Sequence, residues 1–321
     1  MAIHIGHRKA GWKGLLVAGS CFIFPAALIV MVLAWMYVRY GSLPQTKAIL
    51  YGVKPVIISI VLQALWRLGG TALKNKLLVL VGLAGVVLAF LGVPELAIIF
   101  GGGVIVVCLR GVRQWMQQGV PYGLSLLPGT SLFVLAPTTI TTGGTTAFGL
   151  WSLFLFFLKV GSVLFGSGYV LLAFLRADLV ERWHWLTEAQ LLDAIAVGQM
   201  IPGSVFTTVT FFGYLLDGPT GAIVATVGIF LPAFCFVAMS GPLVPRIRES
   251  KTAGAFLDGV NAASLSLMIL VTWQLGRAAL HDWLTGTWWI VSLILLLRIR
   301  LNSAWLVLVG AILGLLFHRQ V

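Results

Sequence analysis

The chain has 321 residues, 60% of them hydrophobic and only 9% charged. So little charge could not clothe a water-soluble domain of this size, and apolar runs of helical length recur from end to end, so the fold class is all-α, a polytopic integral membrane protein. Nine acids against 21 Lys and Arg give a formal net charge of +12, but the basic residues lie between apolar runs rather than on a polar domain, which argues against nucleic acid and for anchoring at lipid head groups.

In chain order, the apolar pattern predicts spanning or half-spanning helices at 15–38, 50–68, 77–91, 94–109, 149–175, 203–216, 220–240, 255–276, 287–298 and 302–317. The run from Leu15 to Val38 follows a basic stretch, as in a secretory signal. It is long enough to span and has no small-residue cleavage pattern, so it reads as a membrane helix. The pairs 77–91/94–109 and 287–298/302–317 look alike, each being two short apolar segments around a tight turn. Cys21, Cys108 and Cys235 sit singly in apolar runs and suggest neither disulfides nor a metal site. His4 and His7 lie three apart but have no Cys or acid beside them, so no metal or other cofactor is implied.

Sliding the chain by 207 residues lays Gly6 on Gly213, Gly11 on Gly218, Gly14 on Gly221 and Pro25 on Pro232. Val17, Ala18 and Ala26 also match Val224, Ala225 and Ala233, making seven identities in the 21 positions from 6 to 26. Farther on, Arg39, Gly52, Val53, Trp66 and Gly69 match Arg246, Gly259, Val260, Trp273 and Gly276. Two homologous halves are expected, residues 1–116 and 150–321, joined by a Thr/Gly-rich linker at 117–149. In this register nothing in the first half matches Trp151–Thr207, and the expectation is that the sequence lacks an N-terminal segment of roughly 55–75 residues.

The unmatched stretch holds the candidate chemistry. In "FLKVGSVLFGSGY" (157–169), Lys159 is the only charge between Gly149 and Leu175. It either faces protein and water or snorkels to a head group. Gly166 and Gly168 allow local unwinding or close helix packing. Thr187 and Gln190 form a capping box, predicting a helix from Glu188 to about Gln199, too short to span. On it, Asp193 is a proton carrier, a partner for Lys159 or Arg176, or simply a polar face of an interfacial helix. Glu181 and Arg182 read as a solvated loop pair, with Glu181 a second candidate for proton coupling. His184, between two Trp residues, reads as an interfacial anchor.

"GQMIPGSVFTT" (198–208) breaks the next helix. Pro202 lacks a backbone donor and Gly203 disfavours helix. A new helix beginning there would present free N–H groups and a positive dipole end at membrane depth, as broken transporter helices do toward anions. Ser204, Thr207 and Thr208 add hydroxyl donors, and Gln199 lies just before the break. The alternative is a plain loop between two ordinary helices.

"FLKVGSVLFGSGY", "WLTEAQLLDAIAVGQMIPGSVFTT" and "GIFLPAF" resemble second-half motifs of the chromate ion transporter family, and "HRKAGWKGLLVAGSCFIFPAALIV" resembles its first half. The resemblance implies a two-domain bacterial inner-membrane transporter, not an enzyme, that exports chromate using the proton gradient or membrane potential. This sequence has Ile201-Pro202-Gly203-Ser204 where the family usually has Thr-Pro-Gly-Pro. The family's first-half glycine motif and Pro-Gly-Pro loop fall before Met1. Sulfate is the alternative oxyanion. A membrane-embedded enzyme would need a cluster of acids or His at one membrane face, which is not found. An assembly subunit is a third reading, and a homo-oligomer is left open.

Overall fold

The computed structural model describes residues 2–41, 43–117, 149–164, 168–200, 205–280, 282–299 and 303–317. The described residues are helical apart from short turns: α1 (Ala2–Tyr40), α2 (Pro44–Ala72), α3 (Lys76–Phe90), α4 (Glu95–Gln117), α5 (Leu150–Val163), α6 (Leu171–Phe174), α7 (Glu188–Met200), α8 (Thr208–Glu249), α9 (Lys251–Ala279), α10 (Trp283–Ile294) and α11 (Ser303–Phe317). Among them, five segments are long and apolar enough to cross a membrane: Lys9–Tyr40, Pro44–Ala72, Glu95–Val112, Val205–Met239 and Thr252–Ala279. The protein is an all-α, multi-pass membrane protein, as its composition requires. Most of the expected linker, residues 118–148, lies outside the described residues.

α1 and α8 each contain a sharp corner. In α1 it falls at Ala10 and Gly11 (Gly11 φ 57°, ψ −140°), and in α8 at Asp217 and Gly218 (Gly218 φ 57°, ψ −146°). A side chain is strained in that backbone region, so glycine is required at both corners. Each corner folds a short arm back on a long one. A Cβ at Gly6 would strike the Gly14 carbonyl, and one at Gly213 would strike the Gly221 carbonyl. The corner in α8 accounts for the predicted division between 203–216 and 220–240. These glycines are also the ones matched at the 207-residue offset.

α2 and α9 form the centre. Both are 29 residues long, and they pack on each other. The α10–α11 hairpin packs on α2, whereas the α3–α4 hairpin packs on α9. Bare backbone lets these helices approach. A Cβ at Gly52 would enter the backbone of Gly310 and Gly314 in α11, and one at Gly259 would enter that of Gly102 and Gly103 in α4. Each hairpin therefore clasps the central helix that lies far from it in sequence. Ser266 Oγ of α9 donates to the Gly82 carbonyl of α3 at 2.6 Å, and Ser59 Oγ of α2 donates to the Trp289 carbonyl of α10 at 3.0 Å. α3, with 15 residues, rises only about 22 Å, short of a bilayer's apolar thickness of about 30 Å.

α5 packs on α8, where Gly161 lies against the Ile229 backbone and Gly228 against Phe154 and Phe157. The predicted helix 149–175 is not continuous. α5 ends at Val163, and Leu164 turns to an extended conformation (φ −70°, ψ 90°).

Candidate functional site

Helix resumes at Gly168 with a tight turn, Gly168–Val170, then α6, then a wide π turn over Leu175–Arg182. The π turn closes where the Trp183 N–H donates to the Asp178 carbonyl at 2.9 Å. His184 follows with φ 52°, and the rings of Trp183 and Trp185 lie 4.5 Å apart. The expected capping box is present. Thr187 N–H donates to Gln190 Oε1 at 2.9 Å, and Gln190 N–H to Thr187 Oγ1 at 3.2 Å. α7 then runs to Met200, and a tight turn, Val205–Thr207, leads into α8.

The two restarts adjoin. A Cβ on Gly168 would stand 3.1 Å from Val205 Cβ and 3.5 Å from the Phe206 ring. The two helical restarts thus begin side by side. Thr207 and Thr208 are buried there, and Thr208 Oγ1 occupies the space that a Cβ on Gly198 would need. Gly166, Pro202, Gly203 and Ser204, and the side chain of Gln199, fall outside the described residues.

The charged candidates sort into three groups. Lys159 is 3.5 Å from Asp178 Oδ2, and Arg182 Nη1 donates to Asp178 Oδ1 at 2.8 Å. Asp178 is buried, so two cations share one desolvated carboxylate. Arg176 forms the second group, donating to Glu188 Oε1 from Nε at 2.8 Å and pairing with Glu181. Glu181 and Arg182 therefore do not pair with each other in a loop. They point to different partners from the π turn.

Asp193 forms the third group, and its partner is neither Lys159 nor Arg176. Lys54 Nζ of α2 lies 2.8 Å from Oδ1, and the Tyr37 hydroxyl of α1 donates to Oδ2 at 2.7 Å. Nor is Asp193 an exposed polar face, for it is only 6% exposed. Lys54 had a readable signal, because it stands alone in an apolar run as Lys159 does. Tyr37 had none.

Two cavities flank the restarted helix. One, of about 590 Å³, lies by Val170 and is lined with Thr71, Lys74, Asn261 and Ser264. The other, of about 500 Å³, lies by Ala173 and is lined with Glu95, Arg176, Glu181, Arg182 and Gln274. α9 bounds both. Its neighbouring residues Met268 and Leu267, both buried, line the first and the second cavity respectively. Two spaces with polar groups in their linings thus lie along one helix.

Residues 1–107 and 151–315 match the family described as chromate transporter. The chain is similar to the chromate transport protein of Cupriavidus metallidurans, with 31% identity over 97% of this chain and 77% of that protein. It is also similar to the probable chromate transport protein of Synechococcus elongatus, at 29% identity over 99% of this chain and 80% of that one. A chromate transport protein of Pseudomonas aeruginosa matches at 29% identity over 86% of this chain and 67% of its own length. No solved structure matches. With most of its length matched by the family and nearly all of it aligned with curated chromate transport proteins, the chain belongs to the chromate transporter family.

Proposed function

We propose that this protein exports chromate across a bacterial inner membrane, driven by the proton gradient or the membrane potential. The observation that carries the reading is the juxtaposition of the helix starts at Gly168 and Val205. A tetrahedral dianion seated between them would accept N–H donors from two segments, with Thr207, Thr208 and Ser204 adding hydroxyls and Gly166, Gln199, Pro202 and Gly203 shaping the breaks. Arg176 is matched by Glu181 and Glu188, but Lys159 and Arg182 share Asp178. Two cations thus meet one carboxylate along this segment, and Lys159, the more distant from it at 3.5 Å, is the one we assign to the anion. Lys54–Asp193–Tyr37 ties α7, which leads into the second break, to α1 and α2. The two halves rock about this place, and access alternates between the two cavities.

The test is tracer chromate flux in vesicles reconstituted with purified protein. Pro202-Gly203→Ala-Ala and Lys159→Ala are each expected to lower flux at least about tenfold, the worth of one to two charge-assisted hydrogen bonds. Unchanged flux in both would remove the breaks from the site. Sulfate shares the shape and charge of chromate, so unlabelled sulfate belongs among the competitors. Equal competition would broaden the substrate to tetrahedral oxyanions.

A further inference from the structure

Glu95 is the first residue of α4, at the turn where the α3–α4 hairpin meets the restarted helix and α9. The other acids whose side chains are described all have partners. Asp178, Glu181, Glu188, Asp193 and Asp258 are ion-paired. Asp217 accepts from Thr220, and Asp282 accepts from Tyr51. Glu95 has neither a cation within ion-pair distance nor a side-chain donor among the described residues, only its own backbone N–H. It is half-buried and lines the 500 Å³ cavity.

The charges around that cavity decide what it takes. Lys159 on α5 and Arg176 and Arg182 on the π turn supply three positive charges. Asp178 and Glu181 on the π turn and Glu188 on α7 supply three negative ones, and all six are engaged with one another. Lys159, Asp178 and Arg182 act electrostatically on Glu95. From α9 the cavity receives only uncharged Gln274 among its polar groups. An ionised Glu95 therefore leaves the group one negative charge in surplus. A surplus carboxylate repels an oxyanion and accepts a proton. Protonation brings the cluster to neutrality at the junction between a first-half hairpin and second-half helices.

We infer that Glu95 is the carboxylate that carries the coupling proton, in a cavity apart from the place between Gly168 and Val205 assigned to the oxyanion. It takes a proton from water on one face of the membrane and gives it up to water on the other as the halves rock. This rests on the transport reading above. It ranks Glu95 ahead of Asp193 and Glu181, each of which already has a cation within ion-pair distance.

The experiment uses vesicles reconstituted with the full chain and tracer chromate. Two modes are measured: chromate–chromate exchange at equal pH, and accumulation driven by an imposed pH step. A step of about one unit supports about tenfold accumulation per coupled proton. Glu95→Gln is expected to retain exchange and to lose the pH-driven accumulation. Glu95→Asp should keep both modes. Glu95→Asn, which also cannot titrate, should behave as Glu95→Gln does. Retained exchange shows that a variant is folded. PH-driven accumulation that persists in Glu95→Gln, or that is absent from the wild type while exchange proceeds, overturns the assignment. A wild type that moves no chromate in either mode overturns the transport reading instead.

Discussion

Replacing Lys54 with Met leaves Asp193 buried without its cation. The two charges lie 2.8 Å apart, and their side chains are 22% and 9% exposed, so water cannot stand in for the lost partner. The Tyr37 hydroxyl remains, but one hydrogen bond offsets only about 1.5–3 kcal/mol of the burden. Breaking such a pair from one side costs about 3–5 kcal/mol. Asp193→Leu should cost a similar amount, because it strands the Lys54 ammonium and the Tyr37 hydroxyl. The double variant removes both charges together and should lose less than either single variant. The assay is reversible denaturation in mixed micelles followed by tryptophan fluorescence, run on wild type, both singles and the double. If the double variant lost the sum of the two single losses, the pair would be uncoupled and the reasoning would fail.

Gly218→Val forces a β-branched side chain into φ 57° and should cost about 1–3 kcal/mol, read as a lower thermal midpoint in detergent. The same change at Gly254, where a Cβ meets open space inside a helix, should be nearly neutral. Gly259→Leu drives a side chain into the Gly102–Gly103 backbone and should separate α4 from α9, seen as faster cleavage of the α3–α4 hairpin by added protease. Asp178→Asn leaves Lys159 and Arg182 without their shared carboxylate, and should cost about 3 kcal/mol or more of stability in the same micelle denaturation.

The glycine register was the most informative feature of the sequence. Gly11 and Gly218 recur because both must hold a backbone that other residues resist, and Gly52 and Gly259 because both meet another helix at bare backbone. Local chemistry was equally readable: Thr187 and Gln190 sit three apart, and the capping box forms where they predict it. What could not be read is which distant segments touch. No periodicity in α2 tells that α11 rather than α4 will lie on Gly52. Asp193 was matched with Lys159 or Arg176 of the same half, while its partner, Lys54, is on α2. The end of α5 was hidden for another reason: Leu164 continues the apolar pattern, and hydrophobicity alone carries no record of backbone angle.

The reciprocal clasp of the hairpins also sets a schedule. Gly52 is made about 260 residues before Gly310, the backbone that covers it. At a synthesis rate of about 5–20 residues per second, α2 waits roughly 13–50 s in the membrane with its small-residue face open. α9 waits for nothing, because α3 and α4 are already in place when it emerges. The nascent protein is therefore lopsided in time where the finished one is balanced in space, and its vulnerable interval belongs to α2.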